Sequence, residues 1–507
     1  MPIVEHGVRH RGLPTVMGTI TEALSAMNVV VGALPIHLAS RPIKPHEAII
    51  VTSYPEAVEL LGYSENWAKF PACESIFSNF ADFQVGPVGF VNVLDRNKAS
   101  HRETKSDIPL EIIATSDGQI TAAQLPDDFV LRDTVVLKSD TDAFVCEEDV
   151  DYTLSLDESE RLVVTLIPGG GMLQDGYVGT IQLKASYTRL KPEGVTAADI
   201  IGGIDLNTGS EKGLELIADF NAKYGDPYVP GILLAPGFED DANVRAVLRA
   251  KTEKINGMYS CMALLDIDTG PTGATWYQKA IDAKKKGGFD GENTLALWPK
   301  LKVGEREMHF STRLAAMMAH MDAELGRGTP RETPSSKELR VTGTCLKGGA
   351  EVTVRQEQAE MLNINGIVTA VRIDSFVAYG NYTAAVSKTN DPALYQITLR
   401  RMMNWIGNSL CMTVRRRVDN LLNLALVTET LSLFNQWLSG LVGLSSVAPG
   451  TQALFRAEDN PETDLQNGKL RLYIDYGGYI PAQFIEVLIG YNPNHMLNEL
   501  KGGMSNG

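Results

Sequence analysis

The chain has 507 residues, 44% hydrophobic and 21% charged, with 46 Lys and Arg against 62 Asp and Glu, giving a formal charge of −16 at pH 7. At roughly 150 residues per domain that length predicts about three domains, and the apolar content excludes a disordered chain. The acidic balance argues against a nucleic-acid binder, because phosphate contacts need a basic face. Cys73, Cys146, Cys261, Cys345 and Cys411 are odd in number and far apart, with no CxxC motif or Cys/His cluster. Neither zinc nor a disulfide framework is indicated, and a reducing compartment is the natural reading. The start, MPIVEHGVRHRGLPT, lacks the apolar core of a signal peptide, and no run approaches the ~20 apolar residues of a membrane span. A soluble protein assembled in cytoplasm is expected.

Taken in chain order, residues 1–27 scatter prolines, glycines and histidines between short apolar stretches, which predicts an extended arm. NVVVGALPIHLA, from Asn28, has the β-branched density of a buried strand. Ala48 to Thr52 follows as a strand, with Ser53 as cap and Pro55 in the first turn of a helix from Glu56 to Leu61 that Gly62 stops. A further helix and a strand from Pro87 to Leu94 complete an α/β layer. From 98 to 194 the texture changes to short alternating runs such as FVLRDTVVLKS, DYTLSLDESERLVVTL and GTIQLKASYTRL, divided by Asp, Gly and Pro. That pattern predicts an inserted antiparallel β-domain.

The α/β pattern resumes at Val195. Thr196 can cap a short helix, KGLELIADFNAKYG is amphipathic, and VPGILLAPG and MYSCMALLDID read as buried strands. Between them DDANVRAVLRAKTEKING predicts a helix that stops at Gly257. Residues 28–97 and 195–350 therefore form one discontinuous α/β core with a largely parallel sheet. Residues 351–507 form a C-terminal α/β domain: a strand in GIVTAVRIDSFVAYG, an extended LYQITL, helices from Arg400 to Leu422 and Thr428 to Leu441, and an acidic loop. The chain then closes on NGKLRLYIDYGGYIPAQFIEVLIGYN. Leu470, Leu472, Ile474 and Tyr476 alternate with polar residues, and Ile480 to Ile489 can make a second strand. Strands this near a terminus need partners for their backbone groups, from the same chain or from another copy.

The search for chemistry returns little. DIDTGPTG places Asp266, Asp268 and Gly270 as a calcium loop opens, but the later acids are missing, so a polar turn is the reading. PGGGMLQDG, at Pro168 to Gly176, matches no phosphate-loop or dinucleotide pattern and lies among short strands, where a tight turn is the default. There is no GxSxG and no HExxH. His6, His10, His37 and His46 precede any acid–base cluster, and His309, His320 and His495 show no partner in sequence. NYT at Asn381 matches a glycosylation acceptor that a cytoplasmic protein would not use. Arg415 to Arg417, with Arg400 and Arg401 an element earlier, is a basic concentration. Three consecutive helical residues sweep about 200°, so they cannot share one flat target. They are either a solvated helix end or contacts to an acidic neighbouring subunit, for which Arg400, Arg401, Arg415 and Arg416 are the candidates. No catalytic, cofactor-binding or metal-binding residue is assigned.

The order of these segments resembles the tail sheath proteins of contractile-tailed bacteriophages. HGVRHRGLP, NVVVGALP and AIIVTSYPEAVELLG resemble the family's opening. VTAADIIGGID, GLELIADF and VPGILLAPG resemble the resumption of its core after a variable insertion. LNINGIVTAVR, YGNYTA, the Arg400–Arg401 pair and the closing strands resemble its C-terminal domain. The resemblance covers nearly the whole chain outside 98–194. Two departures stand out: Tyr379 precedes Gly380-Asn381 where the family often has tryptophan, and Tyr382 stands near where it has arginine.

The resemblance implies a structural protein rather than an enzyme, with no cofactor. It implies self-assembly into a helical homo-oligomer of stacked rings around a tail tube protein, bounded by baseplate and tail terminator proteins. No nucleic acid is bound directly and no membrane entered, and the chain belongs to the virion tail after assembly in the host cytoplasm. Contraction from a metastable extended state would drive the tube through the host envelope. Arms at both ends would exchange strands between subunits: Ile3, Val4 and Val8 within Pro2 to Leu13, Leu470, Leu472 and Ile474 within Lys469 to Tyr476, and Phe484, Ile485, Val487 and Ile489 within Gln483 to Ile489. A hairpin closed within one subunit is the competing arrangement. A phage-derived bacteriocin or another contractile injection device shares the same mechanics, and an α/β enzyme with a β-sandwich appendage is the alternative from another class.

Overall fold

The computed structural model describes residues 19–115, 119–174, 176–325 and 328–504. Its centre is an eight-stranded sheet. Asn28–Gly32 lies in the middle, paired in parallel with Val88–Asn92 on one side and Ile232–Leu234 on the other. Beyond Ile232–Leu234 the parallel ladder continues through Met262–Asp266, Thr294–Leu297 and Ile367–Arg372. Ala48–Val51 and Phe376–Tyr379 close the two edges in antiparallel sense. Val29, Val30 and Val31 are buried on both faces, which is why that strand reads as an unbroken β-branched run. Such strands need helices on both sides, and the intervening segments supply them.

Local signals act as the sequence suggests at several joints. The Ser53 side chain accepts the Glu56 N–H at the start of helix Tyr54–Leu61, and Gly62 ends that helix at φ 71°. Thr196 and Asp199 form a reciprocal capping box on Ala197–Ile201. The helix after Asp241 is shorter than its pattern: Ala242–Lys251 ends well before Gly257, because Thr252 turns its hydroxyl onto the Arg249 carbonyl. GIVTAVRIDSFVAYG is a hairpin rather than one strand, and through Ile367–Arg372 it joins the central sheet from beyond residue 350.

LYQITL is helical where an extended run was expected. Asp391 caps Pro392–Tyr395, and the long helix Ile397–Arg415 follows at once. A cap residue followed by proline is a helix start that outweighs the β-branched letters around it. The long helix stops at Arg415, short of Leu422, because Asn423 caps a new apolar helix, Leu424–Gly443, by accepting the Leu426 N–H.

Residues 102–190 leave and rejoin this body through two long antiparallel strands, Arg102–Ala114 and Gly179–Leu190, with a bulge between Lys105 and Ile108. These two strands join Val136–Ser139 in one three-stranded antiparallel sheet, and Ala123–Gln124, Leu162–Leu166 and Tyr152–Leu156 make a second. Leu110, Ile112, Val164, Leu166, Leu183 and Tyr187 belong to a hydrophobic cluster separate from the central one, so the β-unit carries its own core. Of Pro168 to Gly176, the stretch Pro168 to Leu173 is turn and bend, with Asp151 accepting the Gly171 N–H at 2.6 Å.

A Cβ on Gly62 would sit 2.2 Å from the Pro35 carbonyl oxygen, at a φ that side chains disfavour. Gly62→Ala is therefore expected to cost more than about 1 kcal/mol, read as a lowered urea midpoint at unchanged m-value.

Candidate functional site

The closing segment splits in two. Tyr473–Asp475 pairs antiparallel with Gln452–Leu454, setting Ile474 opposite Ala453 inside the same chain. The strand is shorter than the expected Lys469 to Tyr476, because Asn460 satisfies the Arg471 backbone: its Oδ1 accepts the N–H at 2.7 Å and its Nδ2 donates to the carbonyl at 2.9 Å. Leu472, Ile474 and Tyr476 pack on the central core. The two-stranded sheet has no third member among the described residues. Asn435 covers the outer side of Gln452–Leu454, accepting the Ala453 N–H at 2.7 Å and donating to its carbonyl at 3.0 Å, which leaves the outer edge of Tyr473–Asp475 without a strand partner.

Gln483 to Ile489 behaves differently. Its first residue is tied down, with the Tyr382 hydroxyl donating to Gln483 Oε1 at 2.5 Å. Beyond that the backbone joins no ladder among the described residues, and Phe484 at 82% and Ile489 at 92% lie almost fully in solvent, with Ile485 and Val487 close behind. The expected strand is thus present as an apolar segment without a partner in its own chain. Ile3, Val4 and Val8 lie outside the described residues. The chain that follows them is anchored on the long helix Ile397–Arg415: Thr413 Oγ1 accepts the Thr21 N–H, Ser409 Oγ accepts that of Ala23, and Trp405 Nε1 donates to the Ala23 carbonyl at 2.8 Å.

The arginines divide by depth. Arg401 faces inward and pairs with Asp322 at 2.6 Å, both side chains 2% exposed, while Ser25 donates to the same carboxylate. Burial pushes the Asp322 carboxyl up and the Arg401 guanidinium pulls it back. Arg400 bonds Asn293 at 2.7 Å and Glu292 at 2.8 Å with little surface left. Arg401, buried against Asp322, has no surface left for a neighbour, against the expectation, while Arg400 keeps a small exposed part. Arg415 and Arg416 remain at the surface and flank Asp226 at 3.2 and 3.5 Å.

One polar cleft of about 680 Å³ opens at the carboxyl ends of the central strands. It lies where the strand order reverses about Asn28–Gly32, the place where open α/β sheets commonly hold ligands. His309 has a partner that the sequence did not disclose: its Nδ1 lies 2.8 Å from Glu74 Oε1, whose other oxygen accepts the His309 N–H and the Thr312 hydroxyl. Lys300 Nζ stands 3.4 Å from Nε2 of the same ring. Deeper in, Glu239 is buried near the half-buried Asp266; exclusion of water raises both carboxyls, and the Asp266 charge raises Glu239 further. The Ser311 hydroxyl donates to Asp266 at 2.5 Å and Asp268 caps its own turn at Gly270. The side chains that converge here are engaged with each other. Among the described residues no group of three or more His, Cys, Asp or Glu is arranged to hold a metal, and no helix is long and apolar enough to cross a membrane.

No protein-family model matches the chain. Over 512 aligned residues it is 25% identical to the tail sheath protein of Burkholderia phage BcepMu, covering 98% of each chain. Its fold is similar to the anti-feeding prophage helical sheath in the contracted state, with a TM-score of 0.54 at 12% identity, over 97% of this chain and 100% of that one. It is also similar to the PVC sheath complex of an extracellular contractile injection system, likewise contracted, with a TM-score of 0.55 at 12% identity over 97% and 98% of the two chains. The mixed α/β architecture is therefore shared with contractile sheath proteins, and the sequence resemblance to tail sheath proteins holds over nearly the whole length.

Two outcomes follow from the buried charges. Arg401→Met leaves Asp322 buried without its partner and should cost about 3–5 kcal/mol, whereas adding Asp322→Leu should recover much of it; chemical denaturation of both variants checks this. Glu239 and Asp266 hold protons more tightly folded than unfolded, so their contribution to stability is complete below the ordinary carboxylate pKa of about 4 and is lost as pH rises through the raised folded values. Glu239→Gln should accordingly flatten the fall in unfolding free energy between acidic and mildly alkaline buffer; an unaltered pH profile would contradict the shared-burial account.

Proposed function

We propose that this chain is the sheath subunit of a contractile phage tail. It polymerises into a helical sleeve around a tube and shortens from an extended metastable state to drive that tube through a host envelope. The observation that carries the reading is the Gln483 to Ile489 segment, apolar, solvent-exposed and unpaired in a molecule that also keeps a two-stranded sheet with one open edge, at Tyr473–Asp475. Added to such an edge in a neighbouring copy, the segment would gain main-chain hydrogen bonds, and alternate side chains would set its register. Burial of Phe484, Ile485, Val487, Leu488 and Ile489 would contribute roughly 1.5–3 kcal/mol apiece, enough to outweigh ordering of the arm. Similarity along nearly the whole chain to a phage tail sheath protein supports the same reading.

In this account Ile3, Val4 and Val8 belong to a second exchanging arm, and Leu470, Leu472 and Ile474 to the accepting element. Arg415 and Arg416 are the surface charges available to change partner as subunits move. Heterologous contacts that repeat without closing build an open helix, and rigid-body motion of the cores with the arms as tethers would shorten it. The tube, the baseplate and a terminator protein are the partners, the energy is stored in packing during assembly in the host cell, and no nucleotide is used. The β-unit of residues 98–194, with its own core, would face outward and tolerate change. A bacteriocin or other injection device would use the same subunit; capsids with packaged DNA in the producing cells separate the two.

Deletion of residues 483–507, or of 1–13, should leave a folded monomer by sedimentation that forms no striated tubes in negative stain at concentrations where the full chain does. Tubes of normal length from either variant would overturn the arm assignment.

A further inference from the structure

Downstream of the unpaired segment, Pro493–Met504 forms a helix whose Met496, Leu497 and Leu500 lie on one side and are all exposed, Leu500 at 56%. A lone amphipathic stripe on a short helix has no means of stabilising itself in water. The same chain carries an unfilled apolar groove of about 810 Å³ between the far end of the long helix and the start of the apolar helix, floored by Leu410 and Phe434 and walled by Cys411, Val414, Leu426 and Leu472. Val418 and Leu421 stand exposed on its rim. Cavities of this size are filled by side chains or ligands rather than left open when apolar surface can reach them.

We propose that the groove receives the terminal helix of a second copy of this chain, with Met496, Leu497 and Leu500 as its anchors. The route of the backbone argues for a different copy. From Leu472 in the groove wall the chain runs back along the long helix, so that Gly478 lies against Leu399 and Gln483 is held by Tyr382 and Gln396 at the opposite end. Gln396 and Val414 are about 27 Å apart along that helix at 1.5 Å per residue, so a helix reaching its own groove would need residues 484–492 drawn out almost straight back along the same helix. Continuity points the same way. The groove wall is the Leu470 to Ile474 stretch that leads into the accepting strand, so a neighbour's strand laid on that edge delivers its following helix beside the cavity. Glu499, next to the apolar stripe, is opposite in charge to Arg417 at the groove. The inference rests on assembly through exchanged arms and adds a second contact, a plug that locks each donated strand.

Cys411 makes the contact testable with one substitution, because it lines the groove and is half-buried while Cys73, Cys146, Cys261 and Cys345 are buried. Assembled Leu500→Cys polymer oxidised with copper phenanthroline should give a ladder of covalent oligomers on a non-reducing gel, lost in Leu500→Cys with Cys411→Ser. A link that closes within single chains, or polymer that yields no ladder, overturns the proposal. A chain ending at Asn492 keeps the exchanged strand and lacks only the plug. It should still polymerise, with the concentration needed for assembly raised at least fivefold, and an unchanged concentration counts against the plug. Loss of strand exchange is read separately, from the deletion that begins at 483.

Discussion

A peptide backbone in an apolar stretch has to place its N–H and C=O groups somewhere, and the rest of the structure depends on where this chain leaves that requirement unmet. Elsewhere the strands find partners within the molecule: six parallel strands at the centre, an antiparallel strand at each edge, and a β-unit that closes its own two sheets. From Phe484 onward the pattern stops, with five large apolar side chains in solvent. Monomeric proteins rarely expose so continuous an apolar run, so the molecule reads as one unit of a larger object.

The interior explains how such a unit could bear load. Ser25, Asp322 and Arg401 join the root of the N-terminal arm, a helix under the central sheet and the long C-terminal helix in one buried contact. Trp437 donates to Glu22 and Trp405 to the Ala23 carbonyl, so both long helices hold the same short stretch of chain. A pull on the arm is thus passed to the core through charge-assisted bonds shielded from water. The Glu74–His309 pair makes a similar contact at the carboxyl ends of the strands, joining residues 235 apart in sequence.

Much of this was legible in the sequence, and the reasons differ by element. Buried parallel strands announce themselves because both faces are covered, as in Val29 to Val31, and caps such as Ser53 and Thr196 act through local hydrogen bonds that sequence spacing records. Arg102–Ala114 was harder to see, since its first half is polar and Pro109 interrupts it; pairing with Gly179–Leu190 overrides that pattern. The long helix was misjudged at both ends because the turn capped by Asp391 leads straight into it and Asn423 starts a new helix beyond it, and capping residues weigh more than the apolar rhythm between them. The inward turn of Arg400 and Arg401 was invisible, because two adjacent arginines carry no sign of which helical face meets the sheet. His309 found Glu74 across 235 residues, a distance no local motif spans.

The most direct measurement is amide hydrogen exchange at Gln483 to Ile489 in the monomer and in assembled polymer. Alternate amides of that stretch should exchange at near-random-coil rates in the monomer and slow by at least about a hundredfold on assembly, when a neighbouring edge takes them up. Equal, fast exchange in both states would mean that no copy supplies the missing strand, and the tethered-sleeve account would fall.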